Sequence, residues 1–148
     1  MLYNVYIRTC SFILMAMLCC SATVFAQKDE DNLIVVTVGD TTNLYARVRQ
    51  AIIYTDLVIR EDSKRDTLIT YSERIEGKTI FVIAKVVIEN DKVKISGGYG
   101  LGMEDFWGYP AWPKSYKRII YFKGSESWKV LRRIAIKFDS KIEYFKVP

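Results

Sequence analysis

The chain has 148 residues, half of them hydrophobic and 26% charged, with a net charge of +5, three Cys and no His. This is the composition of a folded globular chain, at a length that suits one domain, and not of a disordered or collagenous one. Without imidazole, a Ser-His-Asp triad, a Cys-His dyad and a His-ligated metal are excluded.

In chain order, the first feature is an export signal. Arg8 precedes an uncharged run, Thr9 to Ala26, with an apolar centre at Ser11 to Leu18. Val24-Phe25-Ala26 approximates the small-x-small cleavage rule, so residues 1–26 are expected to be removed after Ala26. Retained, the 19 uncharged residues from Thr9 to Gln27 are just long enough to span a membrane. Cys19 and Cys20 lack the small preceding residue that a lipidated cysteine usually has. Cleavage leaves Gln27 to Pro148, a single periplasmic or secreted domain that also lacks Cys. Such a domain is held by its core alone, without disulfides. Any metal site would have to use oxygen ligands, and the acidic turn Glu61-Asp62 with Asp66 lacks the calcium-loop spacing and its Gly, so no cofactor and no metal site are expected.

Leu33 to Val38 is a β-branched run that reads as a buried strand. Asp40-Thr41-Thr42 is an N-cap cluster, and Leu44, Val48, Ala51 and Ile52 follow at helical spacing, predicting a helix over Thr41 to Ile53. Beyond Tyr54 the period becomes two. Leu57 and Ile59 share one side. Ile69, Tyr71 and Ile75 alternate with Thr70, Ser72 and Arg74. Thr79 to Glu89 is almost continuously apolar, the best candidate for a central strand. Val93 and Ile95 begin another strand, running into Gly97-Gly98. Short charged turns join these segments into an antiparallel meander.

Gly97 to Tyr116 holds five of the eight Gly, two of the three Pro and two of the three Trp, and reads as a long irregular loop. Ser115 to Lys123 suggests a returning strand. Trp128, Leu131, Ala135, Phe138 and Ile142 fall on one helical face, predicting an amphipathic helix from Ser125 to about Ile142. The order β-α-β5-α implies an α+β fold: a curved antiparallel sheet of about six strands, with two helices packed on one face.

Leu44-Tyr45-Ala46-Arg47 opening the first helix, the strand-rich middle from Asp56 to Ile95, and Trp128 starting the last helix resemble a group of secreted domains of unknown function. These are common in Bacteroidetes-type genomes and are thought to have a TATA-binding-protein-like fold. The resemblance implies that fold and brings no activity or catalytic residue with it. A fold name does not imply DNA binding.

Chemistry is concentrated in the loop. Tyr99, Phe106, Trp107, Tyr109, Trp112 and Tyr116 are six aromatics in 18 residues, with Glu104 and Asp105 among them. Such a set suits a glycan face or a small apolar ligand. The same aromatics would equally serve to anchor the loop on the core. Glu104 and Asp105 are adjacent, so in extended chain they point apart. A glycosidase would need a partner carboxylate from elsewhere.

Charge divides the chain. Gln27 to Pro113 holds 11 basic and 14 acidic residues, whereas Lys114 to Pro148 holds 10 and 3. Lys129, Arg132, Arg133 and Lys137 form a basic face on the last helix, able to meet anionic lipid, an envelope protein or the chain's own acidic turns. Nucleic acid is not an expected partner of an exported chain. The leading expectation is a non-enzymatic binding or interaction module. The alternatives are a carbohydrate-active enzyme using Glu104 or Asp105, and an envelope protein docking through the basic helix.

Overall fold

A computed structural model describes residues 26–60, 64–102 and 115–148. Among them the elements run β1 (Leu33–Thr37), α1 (Leu44–Ile53), β2 (Thr67–Ile69), β3 (Glu73–Arg74), β4 (Ile80–Glu89), β5 (Lys92–Leu101), β6 (Lys117–Arg118), α2 (Glu126–Ala135), a 3-10 turn (Ile136–Phe138) and β7 (Lys141–Phe145). The fold is α+β, as expected. One antiparallel sheet of seven strands has the order β2-β4-β5-β1-β7, with β3 beside β4 and β6 beside β5.

Register places the core. Ile34 and Val36 of β1 stand opposite Ile95 and Val93 of β5, and Val86 of β4 stands opposite Ile95. All five are fully buried. Leu44, Val48, Ala51 and Ile52 of α1 join Trp128, Leu131, Ile134 and Ala135 of α2 in the same apolar cluster. Both helices therefore pack on one face of the sheet. Among the described residues no helix covers the other, the uncovered face, although Val35 and Phe81 are buried on it.

The helix starts follow their local chemistry. Ser125 caps α2, its Oγ accepting the Trp128 N–H at 3.3 Å, with Glu126 in the first turn and Arg132 and Arg133 in the last. That distribution complements the helix dipole. α1 begins three residues later than Thr41. The Asp40 carboxylate accepts the Thr42 N–H at 2.8 Å, closing a turn, and Asn43 takes a left-handed φ of 52° before the helix opens. The same hydrogen bond holds the Asp40 carboxyl below its usual range.

Four further expectations need correction. The last helix does not reach Ile142. Asp139 adopts φ 45°, and residues 141–145 pair with β1 as an edge strand, Ile142 opposite Val36 and Tyr144 opposite Ile34. The Gly-rich stretch is not irregular from Gly97, because β5 continues to Leu101 along the full length of β4. The returning strand shrinks to Lys117–Arg118, after which Ile119 is fully buried and Tyr121 bonds the backbone at Glu30 and Asp31.

The alternation around Ile69 is also inverted. Leu68 and Thr70 are buried, whereas Tyr71 is exposed. Ile69 pairs with Lys85 but Glu73 pairs with Val82, so three residues of one strand stand against two of the other. This bulge returns Ile75 to the core side. Thr70 completes the ladder there: its N–H donates to the Ala84 carbonyl, and its Oγ1 accepts the Ala84 N–H at 2.9 Å. Thr70→Val keeps the shape but orphans a buried backbone donor, with an expected loss of about 2 kcal/mol. Urea denaturation measures it, and a change below about 0.5 kcal/mol would contradict this role.

Candidate functional site

Of the aromatic loop set, Glu104, Asp105, Phe106, Trp107, Tyr109 and Trp112 lie outside the described residues. Tyr99 and Tyr116 are described, and the sheet separates them. Tyr99 stands opposite Val82 in the ladder, on the helix side, and packs against the core. Tyr116 belongs to the uncovered face. A Cβ at Gly98 would lie 3.3 Å from the Tyr116 Cβ, and the Tyr116 hydroxyl bonds Ser72 Oγ at 2.5 Å. Its side chain therefore reaches from β5 across β4 to the bulge between β2 and β3.

Beside this strap lies a groove of about 420 Å³ on the uncovered face, lined by Asn32, Leu33, Ile69, Ile83, Lys85, Ser96, Gly97, Gly98, Arg118 and Val147. Strand register assembles it. Ile69, Lys85 and Ser96 form one row across β2, β4 and β5, while Ile83, Gly98 and Arg118 form the next across β4, β5 and β6. Gly98 presents no side chain on this face, which keeps the floor low. Leu33, Ile69 and Ile83 make the floor apolar.

Two cations border it. The Arg118 guanidinium donates to the Val147 and Pro148 carbonyl oxygens at 2.9 and 2.7 Å. Asn32 fixes the same tail, accepting the Val147 N–H at 2.9 Å and donating to the Val147 carbonyl at 2.7 Å. Lys85 is exposed and has no ion-pair partner among the described residues. Nearby Lys94 is paired with Glu89 at 2.6 Å. Ser96 faces Lys85 across the ladder, a nucleophile beside an amine. Nothing buries that ammonium as a lysine acting as base requires, so the pair is suited to hydrogen bonding and charge recognition.

The basic helix face is dispersed. Lys129 bonds Glu126 at 2.8 Å, and this hydrogen bond, aided by the charges of Lys129, Lys78 and Arg133, holds the Glu126 carboxyl below its usual range. Lys137 lies over the Tyr54 ring, 5.4 Å from its centroid. Arg133 borders a cleft shared with Asp56, Glu73, Glu76 and Glu126. Arg132 is exposed. Of the four, Lys129 is ion-paired with one of the chain's own acidic groups, and surface pairs of this kind contribute little stability. Among the described residues no cluster of His, Cys, Asp or Glu has the composition to hold a metal ion.

No known protein family, curated protein or solved structure matches the chain. Sequence reasoning missed the groove because its residues come from six separate segments. One signal was present. Lys85 interrupts the apolar run of β4 on the face that carries no helix among the described residues.

Proposed function

We propose that the chain is an exported, non-enzymatic binding module whose uncovered sheet face takes a small apolar ligand carrying an acidic group. The observation that supports this reading is the groove itself: an apolar floor at Leu33, Ile69 and Ile83, with Ser96 and the Lys85 ammonium, which has no ion-pair partner among the described residues, at one side. A pocket with apolar walls and a few convergent polar groups is the usual form of a ligand site. Export rests on the segment from Arg8 to Ala26, and the absence of His and of mature Cys favours binding over catalysis.

Decanoate is a suitable probe, having one carboxylate and a flexible apolar body. Titration into the ¹⁵N-labelled protein should shift the amides of Ile83, Lys85, Ser96 and Gly98, and Lys85→Glu should weaken the response at least about tenfold, the factor that one lost charge-assisted contact represents. A maltohexaose titration serves as the glycan comparison. Shifts confined to the helix side, or a decanoate response indifferent to Lys85→Glu, would overturn the reading.

A further inference from the structure

The edge strand β7 carries a pattern that is complementary to itself. Lys141 and Glu143 lie on the uncovered face, 3.1 Å apart at their charged ends, and Ile142 and Tyr144 alternate with them on the core side. β7 pairs with β1 on one side, and among the described residues no strand pairs with its other side. An unpaired edge offers a row of backbone donors and acceptors to another strand. Ile142 and Tyr144 are only half-buried, and Phe145 is 44% exposed. The edge therefore also carries apolar surface that a neighbour would cover.

We propose that two copies of this chain associate through antiparallel pairing of β7, with the twofold axis at Ile142. Among the registers centred on Lys141, Ile142 or Glu143, the charges select that one. Two strands related by an axis normal to the sheet keep like faces together only when the axis passes through a residue. Centring on Lys141 sets Lys141 against its own copy, and centring on Glu143 sets Glu143 against its own copy. Both oppose like charges. Centring on Ile142 places each Lys141 opposite the other copy's Glu143, twice, and stacks the two Ile142 side chains on the core side. The intrastrand ion pair is replaced by two cross-strand pairs. A lysine alone on an edge strand discourages pairing, whereas an alternating Lys-x-Glu on one face discourages the wrong registers and permits this one.

The inference does not depend on the groove or its ligand. It predicts a dimer whose two uncovered faces run on as one continuous sheet surface.

Sedimentation velocity on protein produced from the full chain tests it, with circular dichroism to establish that each variant is folded. The native protein should show a concentration-dependent monomer–dimer equilibrium that weakens with added salt. Glu143→Lys and Lys141→Glu should each weaken association at least about tenfold, because both cross-strand pairs become repulsive. The double variant Lys141→Glu with Glu143→Lys restores opposite charges in the same register and should restore the dimer. A native protein that stays monomeric at high concentration would overturn the proposal. So would a dimer indifferent to the single reversals, or one that the double variant fails to recover.

Discussion

Gly97→Ala is expected to cost about 3 kcal/mol, at the upper end of what overpacking a core by one methyl costs. Its cause is steric. Gly97 does not have a positive φ, so an alanine backbone would be accepted there. The added Cβ, however, would lie 2.4 Å from the Ile83 carbonyl oxygen and 3.2 Å from both Ile119 Cδ1 and Leu131 Cδ2. The first of these is backbone in the middle of the longest strand pair and has no rotamer to move into. Gly97 stands opposite Ala84, and these two small residues form the depression into which Leu131 of α2 and Ile119 fit. Gly98 is the internal comparison. There a Cβ would meet Tyr116 Cβ at 3.3 Å and the Lys117 carbonyl at 3.4 Å, on an open face where the neighbouring strand can give. Alanine also lowers the entropy of the unfolded chain, which offsets part of any strain. Gly98→Ala should therefore stay within about 1 kcal/mol of the native protein. Thermal and urea denaturation of the two variants measure the contrast. For Gly97→Ala the melting temperature should fall by roughly 10 °C. Equal effects at the two sites would refute the steric account.

The contrast between these adjacent glycines shows where local pattern stops being informative. A Gly-rich stretch reads as a loop because glycine is a poor strand former. Here the strand continues because β4 supplies a partner for every residue up to Leu101, and because close helix packing requires a residue without a Cβ at Gly97. The failure at the C-terminus is of the same kind. Ile142 fits the helical period set by Trp128, Leu131, Ala135 and Phe138, and it also fits a period of two with Tyr144. Only the pairing with Ile34 and Val36, about a hundred residues earlier in the chain, decides between them. The β-branched runs at Leu33 and Ile80 needed no such arbitration. Nor did the α1 core positions, where hydrophobic spacing alone identified the buried residues, whereas in α2 it found Trp128, Leu131 and Ala135 but not the equally buried Ile134.

The candidate site was legible to a smaller degree. Tyr99 and Tyr116 look like members of one aromatic cluster in sequence, but the sheet puts them on opposite faces. Lys129, Arg132, Arg133 and Lys137 look like one basic surface, but Glu126, Tyr54 and an acidic cleft each engage part of it. The groove arises from residues as distant as Asn32 and Val147, joined by a side-chain amide that completes the backbone ladder. Cross-strand neighbours of this kind are set by register, and register depends on the whole sheet.

Trp128 is the second position where a large effect is expected. It is 2% exposed at the N-terminal end of α2, with its ring 5.7 Å from that of Tyr121 and 6.0 Å from that of Tyr144, both tilted. Trp128→Ala removes the largest fully buried side chain among the described residues and should cost about 4 kcal/mol, the transfer of its atoms plus the cavity left behind. Trp128→Phe should cost less than half of that. Its indole Nε1 is buried without a hydrogen-bond partner, and the neighbouring Tyr144 hydroxyl is likewise unpartnered. An orphaned buried donor carries its own desolvation penalty, which phenylalanine lacks. Phenylalanine also keeps a ring in tilted contact with Tyr121 and Tyr144, the geometry that adds to area burial in aromatic pairs. The two substitutions thus separate two roles of one residue, volume in the core and a polar atom tolerated there. Urea denaturation of both variants gives the ratio directly. If Trp128→Phe proved as costly as Trp128→Ala, the N–H would have to be satisfied in solution, and the aromatic cluster would be held by a hydrogen bond as well as by packing.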